Sequence, residues 1–214
     1  MRNKFEAQLL ELNTDLVMMG ALCEKAISMS IQAYMNNNAT YAKIAKDIER
    51  EIDDKEKEIE RLCMRLLLQQ QPVAKDLRIV SAALKMITDL ERIGDQAADI
   101  AELSKYASAE DMPDYLKNMA EATVKMVTGA IDSFVKRDLD CAQEVIDSDD
   151  VVDDYFDIAK NDVIARIKDE NENTEAIIDM LMVAKYLERI ADHATNVAEW
   201  VVFSITGVHK DNKI

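Results

Sequence analysis

The chain contains nearly the same eight residues twice, as LERIGDQA at 90–97 and LERIADHA at 187–194. At this offset of 97 positions the segments agree at Leu, Glu, Arg, Ile, Asp and Ala, and the agreement continues at Ala101/Ala198 and Glu102/Glu199. Self-similarity at a fixed spacing indicates an internal duplication. The second half of the chain should therefore fold in the same way as the first half.

Each copy lies within a heptad-like pattern of apolar and small residues, which we call the seam positions. The spacing alternates between four and three at Ala83, Ile87, Leu90, Gly94, Ala97 and Ala101, and again at Met180, Ala184, Leu187, Ala191, Ala194 and Ala198. This spacing is typical of helices that pack side by side. With only 4 Gly and 2 Pro in 214 residues, the composition also favours a mostly helical protein.

The pattern predicts six helices and no strands. We expect them at about 5–35, 40–71, 72–106, 114–137, 139–168 and 174–207, with turns at the Asn36–Asn38 cluster, at Pro72 and at Gly207. The polar stretch at 108–114, which contains Pro113, is the best boundary between the halves. The predicted fold is all-α, a pseudo-two-fold tandem repeat of two antiparallel three-helix bundles over residues 1–108 and 109–214.

Four acid pairs with i,i+4 spacing share one phase relative to the seam. They are Glu49/Asp53, Glu91/Asp95, Asp149/Asp153 and Glu188/Asp192. Each acid directly follows a seam position, and on the second helix of each half these positions are Ile48, Ile52, Ser148 and Val152. Because consecutive helices joined by a short turn run antiparallel, each half should bring four carboxylates together. We call these the first acid patch (Glu49, Asp53, Glu91, Asp95) and the second acid patch (Asp149, Asp153, Glu188, Asp192).

Carboxylates this close repel one another unless a cation lies among them. The cation could be a metal ion, or the acids could be solvated or paired with Arg and Lys. Arg92 and Arg189 point about 100° away from the preceding Glu on a helix, which makes them imperfect partners. Asp99 and Asn196, one turn further along, would add oxygen ligands. Carboxylate and amide oxygens suit Mg²⁺, Mn²⁺, Ca²⁺ or iron rather than zinc–thiolate chemistry.

Several function classes are disfavoured by the sequence. The net charge of −16 argues against nucleic-acid binding, and the absence of an apolar run of 18 residues argues against membrane insertion. Three scattered cysteines indicate reduced thiols in a cytosolic protein. Neither His193 nor His209 lies in a Glu-x-x-His motif, and there is no P-loop or catalytic triad pattern. We therefore predict no enzymatic activity.

Three segments resemble the PhoU family of phosphate-signalling proteins. They are QQPVAKDLR at 70–78, DLERIGDQAADIAE at 89–102 and YLERIADHATNVAEWVVFSITG at 186–207. The resemblance implies a cytosolic negative regulator of phosphate-starvation signalling and phosphate uptake, peripheral to the membrane through its partners. Those partners would be the ATPase of the Pst phosphate ABC transporter and a PhoR-type sensor histidine kinase. It also implies multinuclear metal clusters at the E(D)xxxD motifs, which fall on the four acid pairs.

Two further expectations remain open. The alternative function is a metal-binding helical-bundle protein whose cluster chemistry or storage is primary, with docking secondary. A homodimer is also expected, because methionines and the aromatic residues Trp200 and Phe203 near the C-terminus could form a contact surface.

Overall fold

The computed structural model describes residues 2–70, 73–105, 112–169 and 172–209, and its regular structure in these ranges is helical. Within these ranges no helix combines the length and hydrophobicity needed to cross a membrane. The helices are α1 (Arg2–Asn36), α2 (Ala39–Gln70), α3 (Ala74–Leu103), α4 (Asp114–Lys136), α5 (Leu139–Asp147), α6 (Asp149–Arg166) and α7 (Thr174–Thr206).

The helices form two bundles, as the duplication predicts. Helices α1, α2 and α3 pack together in the first, while α4, the α5–α6 pair and α7 form the second. Within the first bundle α2 and α3 are antiparallel, because Lys46 pairs with Glu102 near one end and Ile52 packs against Gly94 further along. The all-α tandem fold is confirmed.

The two bundles pack on each other through α3 and α7, with a smaller contact between α1 and α4. Helices α3 and α7 run antiparallel, since Asp89 contacts His193 and the Lys85 ammonium lies 6.0 Å from the Trp200 ring. Most buried apolar residues, Leu90 and Leu187 among them, belong to a single core that includes both bundles. The predicted boundary between residues 108 and 109 lies outside the described residues.

The fifth predicted helix is divided at Ser148 into α5 and α6. The Ser148 hydroxyl donates a hydrogen bond of 2.6 Å to the carbonyl oxygen of Glu144, a back-bond that competes with regular helix geometry. The surrounding sequence, Asp-Ser-Asp-Asp at 147–150, consists of residues with low helix propensity. The heptad pattern continues across this point, which explains why periodicity alone did not reveal it.

The predicted turns at the ends of α1 and α7 are confirmed. Asn37 has a φ of 45° and Gly207 a φ of 82°, and both values lie in the left-handed region that Asn and Gly adopt at helix ends. The turn after α1 allows α2 to reverse direction, which is the arrangement that brings its acids towards α3.

We predict that Gly94→Val will destabilise the fold by about 1–3 kcal/mol. A Cβ atom at position 94 would lie 2.9 Å from the Ile52 Cδ1 atom, so the added methyl groups would push α2 away from α3. The measurement is chemical denaturation, with Ser81→Val as the control because Ser81 is exposed on the same helix. Equal stability of the two variants would contradict the close approach of the helices.

Candidate metal centre

Three acids of the first acid patch converge in the structure. Glu49 and Asp53 on α2 and Asp95 on α3 each offer a carboxylate oxygen, and the three oxygens lie within 4.8 Å of one another. The seam residues Ile48 and Ile52 beside them are buried, so the core fixes the two helices while the acids stay half-buried at the rim. Three of the four carboxylates predicted for this patch therefore converge, and Glu91 is not one of the three.

The remaining acids of this region lie beside the convergent three. Burial, together with the charge of Asp95, raises the pKa of Glu91 and the pKa of Asp99. Burial raises the pKa of Glu49 as well, and the charges of Asp53 and Asp95 add to the effect. Raised pKa values are expected for carboxylates that repel one another in a partly desolvated environment.

Arg92 and Lys46 are the basic residues at the edge of the first acid patch. Arg92 Nη1 lies 2.9 Å from Asp95 Oδ2, and its Nε lies 3.4 Å from Glu91 Oε2, so the better partner of Arg92 is Asp95 rather than the adjacent Glu. Lys46 pairs with Glu102, outside the patch. Asp95, one of the three converging acids, is therefore already paired with Arg92, and a bound cation would compete with that guanidinium. The carboxylate oxygens of the group are donors that fit a hard divalent cation.

The second acid patch is less compact. Within the described ranges, the three-acid groups close enough to hold an ion include none of its members. The acids still interact with one another. Burial and the charge of Glu188 raise the pKa of Asp153 and the pKa of Asp192. Burial and the charge of Asp153 raise the pKa of Asp149.

A basic residue, Lys185, pairs with Glu188 of the second acid patch. Beside this patch is an open cavity of about 410 Å³, lined by Asp149, Arg189, Asp192, His193, Thr195 and Asn196.

The proposed ligand Asn196 takes part in a contact between the bundles. Its side-chain amide donates to Asp89 Oδ1 at 3.3 Å, and His193 Nδ1 lies 2.9 Å from the same oxygen. His193 is therefore half-buried between α3 and α7. Asp89 was not predicted, because a contact between two bundles leaves no periodic signal in either helix.

The sequence did not single out Lys185 and Phe156, two residues that lie beside the second acid patch. The Lys185 ammonium lies 5.3 Å from the centre of the Phe156 ring, in addition to its pairing with Glu188. A signal for the pairing was present, since Lys185 and Glu188 have the i,i+3 spacing at which oppositely charged helix residues meet.

The aromatic residues near the C-terminus pack within the chain. The Trp200 ring lies 4.2 Å from the His209 ring and 5.6 Å from the Phe203 ring, centroid to centroid. All three side chains are half-buried. His209 is thus part of an aromatic cluster at the end of α7.

We predict that the metal-free protein will be more stable in mild acid than at neutral pH. Acids with a raised pKa bind more protons in the folded state than in the unfolded state, so the free energy of unfolding falls as the pH rises through the raised values. The acids concerned are Glu49, Glu91, Asp99, Asp149, Asp153 and Asp192.

The measurement is thermal unfolding after chelator treatment, at about pH 7.5 and about pH 5.5. We expect the higher Tm at the lower pH, and saturating Mg²⁺ at the higher pH should recover much of the difference. Glu102 and Glu172 have a lowered pKa because of their Lys46 and Arg166 partners, and they oppose this trend only in more acidic solution. A Tm that falls steadily on acidification would contradict the prediction.

A family model described as the PhoU domain matches the chain twice, at residues 16–104 and 116–201. The two matches coincide with the two bundles.

Individual relatives agree with this match. The chain is 37% identical over 214 residues to a protein of Clostridium acetobutylicum named as a phosphate-specific transport system accessory protein PhoU homolog, and the comparison covers 98% of each chain. It is 38% identical to a protein of the same name from Synechocystis, over 96% of this chain and 93% of the relative. The crystal structure of PhoU from Pseudomonas aeruginosa superposes with a TM-score of 0.89 at 29% identity, covering 95% of this chain and all (100%) of that one.

Proposed function

The chain belongs to the PhoU family, and from that premise we propose that it is an accessory protein of a phosphate-specific transport system. In this proposal it represses phosphate-starvation signalling and phosphate uptake while phosphate is plentiful. It does so as a cytosolic adaptor between the Pst transporter ATPase and a PhoR-type sensor histidine kinase. The family is one of accessory regulatory proteins and not of enzymes.

The observation that carries this proposal is the double family match over both bundles, together with the names of relatives that align along nearly the whole chain. The net charge of −16 supports docking onto basic surfaces of the partners, because complementary charge accelerates and orients association. We also propose that residues 1–108 and 109–214 are the two repeats, and that the protein forms a homodimer.

A metal ion at the first acid patch is the second part of the proposal. Glu49, Asp53 and Asp95 would hold it, with Glu91 and Asp99 close by. A bound divalent cation would neutralise the repelling carboxylates and tie α2 to α3 across the bundle surface. The protein would hold these acids close together before the ion binds. The buried seam residues Ile52 and Gly94 support this role, because they fix α2 against α3 beside the acids.

Deletion of the gene tests the regulatory proposal. We expect alkaline phosphatase expression and phosphate uptake to rise in phosphate-rich medium, and complementation with the intact gene to restore repression. If both quantities stay as low as in the parent strain, the regulatory proposal is wrong.

The converging acids also favour a second candidate function, in which metal storage or cluster chemistry is primary. Metal-loaded protein that hydrolyses phosphate esters or oxidises Fe²⁺ at a rate lost in Asp95→Asn would support this candidate. Failure to do either, with repression intact in the same strain, would leave the adaptor function.

A further inference from the structure

The two acid patches occupy equivalent places in the two repeats, but several residues around them differ in charge. The two repeats can be aligned by matching Glu49 with Asp149 on the second helices and Glu91 with Glu188 on the third helices. The residues around each patch can then be compared position by position. Four neighbours become less negative or more positive in the second repeat: Glu56 becomes Phe156, Glu60 becomes Lys160, Thr88 becomes Lys185 and Asp99 becomes Asn196.

The replaced acids are close to the first acid patch. Burial and the charges of Glu60 and Asp53 raise the pKa of Glu56. Burial and the charge of Asp95 likewise raise the pKa of Asp99. The first patch is therefore surrounded by further acids, each of which adds to its attraction for a cation. The second patch has an aromatic ring and an amide at the two aligned positions.

Lys185 is held against the second acid patch from two directions. Its ammonium pairs with Glu188 and lies 5.3 Å from the Phe156 ring, to which the Lys160 ammonium also comes within 5.7 Å. A ring face and a carboxylate both attract an ammonium group. The positive charge of Lys185 also acts on Asp153 and Asp192, so three of the four acids in the patch are under its influence.

Some charge differences between the repeats run in the opposite direction: Lys46 becomes Ile146, Arg50 becomes Asp150 and Lys57 becomes Asp157. The basic residues involved have other partners or face solvent. Lys46 pairs with Glu102, Arg50 is exposed and pairs with Asp47 at 3.0 Å, and Lys57 is exposed. Solvent screens such charges, so they alter the first patch less than Lys185 alters the second. Arg92 does pair with Asp95 and Glu91 of the first acid patch, but the second repeat has Arg189 at the aligned position. Lys185 is therefore a positive charge that the second patch has in addition.

We propose that Lys185 closes the second acid patch to divalent cations, so that the chain binds them at the first acid patch alone. The ammonium supplies inside the chain the positive charge that a metal ion would supply, and a second cation there would be repelled. The duplication has then produced one metal centre and one permanent ion-pair centre. This inference rests on the proposed cation site of the first patch.

The test is a Mn²⁺ titration of the full-length protein, with free Mn²⁺ measured by electron paramagnetic resonance. In the intact chain, Asp95→Asn should weaken binding by about 100-fold, whereas Asp192→Asn should leave it unchanged. Lys185→Thr installs the residue found at the aligned position 88, and it should add a second set of bound ions that Asp192→Asn removes. The exposed residue Lys168 offers a control of equal charge change, Lys168→Thr, which should add none.

A fuller exchange strengthens the test. The combination Lys185→Thr/Phe156→Glu/Asn196→Asp should about double the Mn²⁺ bound at saturation, and the reciprocal Thr88→Lys should reduce binding at the first patch. Circular dichroism of each variant verifies folding, and Lys185→Thr alone keeps the test decisive if the triple variant does not fold.

The outcomes separate the two proposals. Mn²⁺ binding in the intact chain that is as sensitive to Asp192→Asn as to Asp95→Asn would overturn the role of Lys185 and leave the first site standing. Unchanged stoichiometry in Lys185→Thr would also overturn that role. If neither the intact chain nor any variant binds Mn²⁺, the proposed cation site fails and this inference fails with it.

Discussion

Asp95→Asn should lower the affinity of the protein for Mn²⁺ or Mg²⁺ by about 100-fold, or about 2.7 kcal/mol. Asp95 is the acid that α3 contributes to the three converging carboxylates, so its loss leaves only the α2 acids Glu49 and Asp53 in that group. A unit charge about 4 Å away is worth about 4 kcal/mol at an effective dielectric constant near 20. Relaxation of the remaining ligands should reduce that loss. Isothermal titration calorimetry measures the change.

The control for this prediction is Asp54→Asn. Asp54 directly follows Asp53 but is exposed, so this variant makes the same change in net charge without touching the converging group. We expect its affinity to stay within about twofold of the intact chain, because exposed charges are screened by salt. If Asp54→Asn and Asp95→Asn weaken binding equally, the ions respond to the general acidic field and not to a built site.

Leu187→Ala should destabilise the protein by about 2–5 kcal/mol. Leu187 is fully buried in α7, which packs on α3 and on the helices of its own bundle. Truncation would leave a cavity where both bundles meet, and the loss combines the transfer free energy of the side chain with the cost of that cavity. Urea denaturation measures the free energy of unfolding.

Ile178→Ala on the same helix is the matched control. Ile178 is 47% exposed, so its truncation removes similar apolar volume with little change in packing, and we expect a loss below about 1 kcal/mol. The two variants also report on the independence of the bundles. A first, separate unfolding step confined to the second bundle of Leu187→Ala would contradict a core shared between the bundles.

The fold was predictable because its determinants are local and repeated. The four–three spacing around Leu90 and Leu187 specifies which helix face is buried, and the duplicated LERI segments show that both halves follow one plan. Helix ends at Asn37 and Gly207 follow from the left-handed backbone that these residues accept. The break at Ser148 was not predictable from periodicity, because a single back-bonded serine interrupts the helix without disturbing the heptad pattern.

The candidate site was predictable only in part. Helix period and antiparallel packing were enough to bring Glu49, Asp53 and Asp95 together. They could not show that, in the described residues, no comparable three-acid group forms in the second patch. The acid spacing is the same in both repeats, so the difference lies in how the individual side chains are placed. The contact of Asp89 with His193 was hidden for another reason, since it depends on how two bundles dock.

Crystals grown with Mn²⁺ and measured for anomalous scattering test the cation site most directly. We expect an anomalous difference peak between α2 and α3, with carboxylate oxygens of Glu49, Asp53 and Asp95 at about 2.0–2.6 Å from the ion. Lys185 should still be paired with Glu188, with no peak among the second patch acids. A map with no peak at Glu49, Asp53 and Asp95, in crystals saturated with Mn²⁺, would contradict the assignment of this patch as a metal centre.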